Sequence, residues 1–591
     1  MGLLQLIGGR CAVVVVGDDP LLAIAGETLA ADGLRVYRRQ DLSGRSVPGN
    51  AALVLLAEDA ALPGRLAKLA AAERGRRHLR VVVVRAAAQL GKGVDDDARE
   101  RLAQEAAEAG LRLEWLEPGR TAARLLLARW PLHRSMDPPA GQRPHLLLAG
   151  FGPFAQAFLL HALRIGQYGE QPPLVTLAAD APERWREWIA ARHPQAGACA
   201  DLRFTVLETP DLDTDWPLTM VTVCDHEPAA GVGLARALVA RAAEQGASPL
   251  MLLVADGEWP ANWVSGDLSD WDGQLVPVAP LRLAFSREVL LEGRDDALAA
   301  VIHEHYRDTS AAQGRDPAAA PSGRPWPELA TSYRDANRHQ ADHLWAKLAV
   351  TDCRAVPEEL VESFAFAPAE VERLAIIEHR RWAVERWLDG WRYAPQRDNA
   401  QKLHPQLIPS ADLTDAMQDL DRFAVRLVPA LLARSGLAVM RRLVVGVRGG
   451  EDVSAPPRRA VRRVLRQLIA RYPDRGLTLA VNLADAVARA IAVDAVPRFG
   501  AGLFVLLPVP LPRLLAAEPP ASRLAMLRLL RVAERRIQLA GDQELAHWLA
   551  RRAEVLFALG EAGAGPVGAP AQPAKRVRLD VRGRTQWNFA Y

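Results

Sequence analysis

Short, uninterrupted apolar runs recur along this chain, and between them apolar residues fall at helical spacing. Residues 12–16 read Ala-Val-Val-Val-Val and are ended by Gly17; an alanine-rich stretch to Gly33 follows, then a second short run at Arg35 to Tyr37. That order predicts a strand, a helix and a second strand in the same sheet. Further runs at Ala52 to Leu56, Val81 to Val84 and Leu111 to Trp115 alternate with helical segments, which calls for a parallel sheet covered on both faces. After a Pro/Gly-rich joint at Met136 to Pro144 the alternation restarts, with strands expected at His145 to Ala149, Leu174 to Leu177, Arg203 to Leu207, Met220 to Cys224 and Leu250 to Val254. Beyond Gly436 it begins a third time: strand Arg442 to Val447, an arginine-rich helix Pro457 to Tyr472, then strands Leu477 to Val481, Gly502 to Pro508 and Ala553 to Leu559, with the basic run Lys575 to Arg578 read as a closing strand.

At 591 residues, with half of them hydrophobic, the chain is long enough for about four domains with cores of their own. The boundaries read as 1–135, 143–309, 328–436 and 440–591, with an Ala-, Pro- and Gly-rich joint from Ser310 to Pro327 before the third unit. The fold class expected is α/β multidomain: tandem parallel sheets, a small helical unit and a C-terminal α/β domain.

A net charge of only +3 rules against a broad electropositive face, so bulk nucleic acid is not an expected partner. Cys11, Cys199, Cys224 and Cys353 lie at neither zinc-site nor CxxC spacing, which fits a reducing compartment. No apolar run approaches the length of a membrane span and no signal peptide opens the chain, so the expectation is a cytoplasmic protein without membrane insertion.

The densest chemistry lies between Glu378 and Asp421. Trp382 and Trp387 fall on a helical run, Gly390 lets the backbone turn, Trp391 and Tyr393 follow, and Lys402, His404, Pro405 and Pro409 come next. Indoles, a phenol, an ammonium group and two imidazoles (His379, His404) are the parts that stack a planar base and neutralise a phosphate. The same aromatics could instead form the core of a small helical domain. The order His379-x-x-Trp382, Gly390-Trp391-x-Tyr393, Lys402-x-His404-Pro405-x-Leu407-x-Pro409, then Asp421 resembles the ryanodine-receptor repeat (RyR) domain. It departs from that pattern at Ala394, usually glycine, and Ser410, usually tyrosine. The resemblance implies binding of adenine or cyclic nucleotides, or related signals, without turnover. Trp391 and Tyr393 would then enclose the base, Lys402 and His404 meet phosphate or sugar, His379 and Trp382 line the floor, and Asp421 close the site.

A second motif follows the strand His145 to Ala149: Gly150-Phe151-Gly152-Pro153-Phe154-Ala155, a GxGxxA turn opening a helix. Such glycines admit a phosphate to a helix N-terminus, and Ala155 lets helix and strand approach. The unit resembles TrkA-type Rossmann domains that regulate potassium uptake. The ribose-binding carboxylate of that family falls on Ala178, with Asp180 two residues late. NAD is therefore the less expected cofactor, and a Rossmann unit kept as a packing or dimerisation scaffold stays open beside it. In the first unit the turn Gly17-Asp18-Asp19-Pro20 carries two carboxylates where a pyrophosphate would lie.

The C-terminal unit resembles the SLOG superfamily of Rossmann-like nucleotide sensors, keeping Gly446, Gly449 and Asn482 to Asp485. Gly449-Gly450-Glu451 and the turn Gly563 to Gly568 lack the family's chemical groups, which implies a degenerate, non-catalytic domain. His339 and His343 stand four apart on the polar segment Ser332 to His343, a spacing open to a metal pair or, more ordinarily, to helix packing, in which Asn337, Arg338 and Gln340 would share. His303-Glu304-His305 reads as a solvent-facing or capping cluster. No nucleophile elbow, P-loop or kinase set is present. The expectation is a non-enzymatic sensor of a nucleotide-like small molecule, in a bacterial defence or stress pathway, working as a homo-oligomer or with an effector protein. The alternative is an NAD- or ATP-responsive regulatory subunit of potassium transport.

Overall fold

The computed structural model describes residues 12–41, 47–48, 50–72, 79–85, 96–210, 212, 216–224, 227–255, 275–449, 457–559, 575–579 and 585–589. Cys11, Gly450, Glu451 and the turn Gly563 to Gly568 lie outside the described residues.

The first sheet contains β1 (Ala12–Val16), β2 (Arg35–Arg39), β3 (Ala51–Ala57), β4 (Leu79–Val84) and β5 (Leu111–Leu116), all parallel, in the order β2-β1-β3-β4-β5. The second contains β6 (His145–Ala149), β7 (Leu174–Ala179), β8 (Asp201–Val206), β9 (Met220–Val223), β10 (Leu250–Val254) and β11 (Leu275–Val278), also all parallel, in the order β11-β10-β9-β6-β7-β8. Both are doubly wound Rossmann-type orders, with winding reversing at β1/β3 and at β6/β9. The buried Val and Leu runs of β1, β6 and β10 explain this, since a strand covered on both faces has no polar side.

Next come β12 (Cys353–Pro357) and the two-residue parallel pair β13 (Arg392–Tyr393) and β14 (Leu403–His404). The third sheet contains β15 (Leu437–Gly449), β16 (Arg475–Asn482), β17 (Gly502–Leu507), β18 (Arg535–Gln538), β19 (Val555–Leu559), β20 (Lys575–Leu579) and β21 (Thr585–Phe589), ordered β18-β17-β16-β15-β19-β20-β21. β21 is antiparallel, and β12 runs antiparallel along the first residues of β15. That partner explains why β15 starts at Leu437, ahead of the apolar run at Arg442. β18 has two arginines in four positions, yet it is buried because Arg535 reaches Asp137 (3.3 Å) and Asp352 (3.0 Å).

Asp137, in the joint between the first two sheets, also accepts from Trp548 Nε1 (2.8 Å) and Arg552 Nε (3.0 Å), tying the third sheet to that joint. One apolar cluster runs from Ala122 and Phe158 through Leu374 and Ile377 to Val439. The helix Pro368–Leu388 therefore shares its core with the second sheet. Each fully buried Leu, Ile or Phe there contributes roughly 1.5–3 kcal/mol.

The Ser310 to Pro327 joint is folded back on the helix Ala297–Ala312 as short 3-10 turns. Arg307 Nε donates to the Gly323 carbonyl (3.0 Å), and His303 Nε2 lies 2.7 Å from the Arg324 carbonyl. His303 is thus buried in mid-helix and does not face solvent, because the returning segment supplies its acceptor. Among the described residues no helix is long and apolar enough to cross a membrane.

Candidate functional site

The frame of the candidate site is the 21-residue helix Pro368–Leu388. Proline at its first position needs no hydrogen-bond acceptor, and the Glu370 carboxylate accepts from the Ala367 backbone N–H (2.7 Å). Gly390, at φ +84°, turns the chain out of the helix.

The buried face of this helix carries charge as well as leucine. Arg381 donates to Glu378 and Glu385, each at 2.8 Å, and Lys347 Nζ lies 2.7 Å from Glu378. Burial alone would raise the Glu378 carboxyl; Arg381 and Lys347 overcome it and hold the group far below the usual carboxylate range. Burial also works against Glu385, but Arg381 and the His339 imidazole 3.9 Å away bring it down to about 2. His343 Nε2 lies 2.9 Å from the Gln167 carbonyl and its Nδ1 is 3.1 Å from Lys347. Arg380 donates to Gln167 Oε1 (3.2 Å), so the network fastens this helix to the second sheet's domain. His343 packs as the ordinary reading of its polar segment expected, whereas Lys347 and Gln167 are anchors that sequence reasoning did not assign. Among the described residues no group of His, Cys, Asp and Glu is disposed to hold a metal.

The rings gather above this network in two layers. In the inner layer His379 places Nε2 2.8 Å from the Ile408 carbonyl and Nδ1 3.3 Å from Asp421. Its ring lies 5.7 Å from Trp382, which meets His404 edge-on at 4.9 Å. His404 accepts from the Gln406 N–H (3.2 Å), and burial, with Arg397 and Arg386 nearby, lowers its pKa, so the imidazole is neutral near pH 7. In the outer layer Trp391 meets His404 edge-on at 6.0 Å, with the Arg386 guanidinium 5.6 Å from the indole centroid. Tyr393 is 56% exposed, and Arg392, Arg397 and Lys402 are exposed as well. Lys402, at φ +54°, donates from Nζ to the Asp389 carbonyl (2.8 Å). Backbone bonds from Arg392 to Lys402 (2.9 Å) and from Ala394 to His404 (3.4 Å) clasp the loop. The structure thus brings His379, Trp382, His404 and Asp421 into mutual contact, Trp391 against them, and leaves Tyr393 and Lys402 at the surface. Such a rim offers π faces and cations but no paired nucleophile and base.

At the second sheet's reversal point, Gly150 has φ +128°, and a Cβ there would stand 2.1 Å from the Cys224 carbonyl, so only glycine fits. Trp185 Nε1 donates to the Gly150 carbonyl (3.1 Å). Phe151, inside the glycine turn, lies 4.9 Å from Trp185 and 4.4 Å from Arg184. Gly152 precedes the helix, Ala155 is buried against the strands, and Asp180 is exposed one residue past β7. Trp185 was missed by sequence reasoning; its signal was a tryptophan among charges on the helix Glu183–Arg192. In the first sheet Asp19 accepts from Leu21 N (2.8 Å), so the helix N-terminus at that turn is capped by the chain itself.

A family model described as RyR domain matches residues 367–441, and the chain carries that domain there. No curated protein matches the chain. Among solved structures, GsuK bound to ADP is 11% identical over 48% of this chain and 70% of its own, at a TM-score of 0.25. An acetylornithine transcarbamylase with acetylcitrulline is 13% identical over 47% and 86%, at 0.24. The A chain of dipicolinate synthase from Bacillus subtilis is 11% identical over 48% and 96%, at 0.18. Similarity this slight says nothing of what this chain binds.

Proposed function

We propose that this protein is a non-catalytic cytoplasmic sensor whose RyR domain binds a nucleotide-like small molecule of adenine or cyclic-nucleotide type. The observation that carries the reading is the division of the ring cluster. His379, Trp382, His404 and Asp421 are spent on one another, whereas exposed Tyr393 and Lys402, with half-buried Trp391 beside them, form a basic, aromatic rim. Stacking on an aromatic side chain contributes about 1–3 kcal/mol per base. The parallel sheets would carry occupancy to a second copy or an effector, as in a defence or stress pathway, with the C-terminal unit a degenerate SLOG-like domain.

Isothermal titration with AMP, ADP and cyclic dinucleotides tests the reading: one of them binds, and Trp391→Ala weakens it by roughly 5- to 150-fold while the protein stays folded. Silence from every nucleotide with a folded protein overturns it. The alternative, NAD- or ATP-responsive regulation of potassium transport through Gly150, Gly152, Ala155 and Asp180, has the six-strand order in its favour. Against it stand Pro153, which removes a phosphate donor, and Phe151 held between Trp185 and Arg184 at the turn. A nucleotide whose binding survives Trp391→Ala and is lost in Gly152→Val would favour that alternative.

A further inference from the structure

A cavity of about 440 Å³ lies between the first sheet and the helix Thr331–Asp342, away from both the RyR rim and the Gly150 turn. Its walls are one face of β4 and β5, bearing Arg80, Arg112 and Glu114, the segment from Val289 to Asp296, and the helix face bearing Arg334 and Arg338. A sheet face in a doubly wound fold is ordinarily apolar. Here it is charged, and nearly every charge is matched. Arg80 and Arg112 hold Glu114 (2.6 and 2.9 Å), Arg120 holds Asp335 (2.7 Å), Arg124 holds Asp342 and Asp296 (2.8 and 3.2 Å), and Arg338 holds Asp296 and Asp335.

Two groups are less well matched: Asp295, 3.7 Å from Arg124 and pushed up to about 6 by burial and by Asp296, and Arg334. Among the described residues the Arg334 guanidinium has no hydrogen bond and no ion pair, and its Nε is buried without a partner. Burial foremost, then the nearby Arg338, pushes its pKa down; Glu114, Asp296 and Asp335 act on it only from a distance. Arg334 as a whole is half-buried, and of its five donors the Nε–H is the one shut away without an acceptor, which costs free energy unless something else supplies one. The cavity is within the size range of small-molecule sites, with Leu291 and Trp326 adding apolar lining.

We propose that this cavity is a second ligand site, which takes a small organic anion bearing a carboxylate or phosphate and receives it on Arg334. The same helix carries His339 to Glu385 and Asp342 to Arg124, so an occupant would bear on both the RyR helix and the first domain.

The test is the unfolding midpoint at constant ionic strength with sodium chloride, inorganic phosphate or succinate, for the wild-type chain, Arg334→Met and Trp391→Ala. Phosphate or succinate should raise the wild-type midpoint above the chloride value, and whichever does so names the acidic group. Arg334→Met should raise the anion-free midpoint by about 2 °C, since it removes a half-buried cation whose Nε has no acceptor, and should abolish the anion response. Trp391→Ala should keep that response. A lowered midpoint in Arg334→Met, a response that survives in it, or no response of the wild type to either anion overturns the proposal. None of these outcomes decides whether the RyR rim binds nucleotide.

Discussion

Two arginines, one on the helix Pro368–Leu388 and one on the helix Thr331–Asp342, meet opposite fates. Arg381, inside the RyR helix, has Glu378 three residues before it and Glu385 four after, and both bind it. Arg334, on the helix Thr331–Asp342, has Ala330 four before, Thr331 three before, Asn337 three after and Arg338 four after, and among the described residues its side chain has no hydrogen bond and no ion pair. Helical neighbours stand three and four apart, so the charge pattern along the chain already separates an arginine satisfied by its own helix from one that depends on distant partners. The first kind fixes structure. The second kind, beside a cavity, is free to recognise a ligand, at a cost to the empty protein.

The largest expected effect comes from taking a carboxylate away from the Arg381 network. Glu378→Ala takes from Lys347 its carboxylate and from Arg381 one of its two, and breaking a buried ion network on one side typically costs about 3–5 kcal/mol. Denaturant unfolding measures it. A loss below about 1 kcal/mol would show that water reaches these cations and that the contrast between the two arginines is false.

Acid provides the next largest effect. Burial, first of all, holds His343, His161 and His133 neutral, with pKa values well below the ordinary one; Lys347, His339 and Arg535 respectively add to it. The unfolded chain binds protons at these sites once pH drops below about 6.5, while the folded chain does not. Stability therefore falls as pH falls, by up to roughly 1.4 kcal/mol per pH unit for each histidine. Glu378 and Glu385 have depressed values, so their contribution is complete above about 4.3 and is lost only as pH descends towards about 2. Unfolding midpoints taken from pH 8 to 4 should decline from near 6.5, ahead of any carboxylate effect. A flat profile between pH 7 and 5 would mean that these imidazoles are solvated.

How much of this was legible beforehand follows the same division between local and distant partners. The apolar runs at 12–16, 145–149 and 250–254 are the strands β1, β6 and β10, residue for residue, because a strand buried on both faces announces itself in composition. β18 was illegible since Arg535 looks solvated until Asp137 and Asp352 arrive from far along the chain, and Arg536 until it turns back to the Leu530 carbonyl. β12 was missed because five residues pair with the start of β15, and β13 and β14 are too short to carry a pattern. At the candidate site the order of rings announced the cluster. The sequence could not say that His379 would aim at the Ile408 carbonyl and Asp421, or that Tyr393 would stay outside. The Arg334 cavity left no motif, because its lining comes from several segments far apart in the chain.

The smallest expected effect on the fold is at Tyr393, the aromatic counterpart of Arg334 in standing apart from the network beneath it. With 56% of its surface exposed, the ring buries little that a truncation would lose, and Tyr393→Ala should change the unfolding free energy by no more than about 0.5 kcal/mol. Trp382, half-buried between His379 and His404, should cost several times as much when cut to alanine, as large aromatics in packed positions do. Affinity for a bound nucleotide should reverse the emphasis: Tyr393→Ala, fold intact, should weaken it by roughly 5-fold or more if the phenol caps the base. Measuring both quantities on one variant separates packing from recognition. A Tyr393→Ala protein that loses more than about 1 kcal/mol of stability and binds normally would mean that the rim is part of the fold, and that Arg334 alone is held in reserve for a ligand.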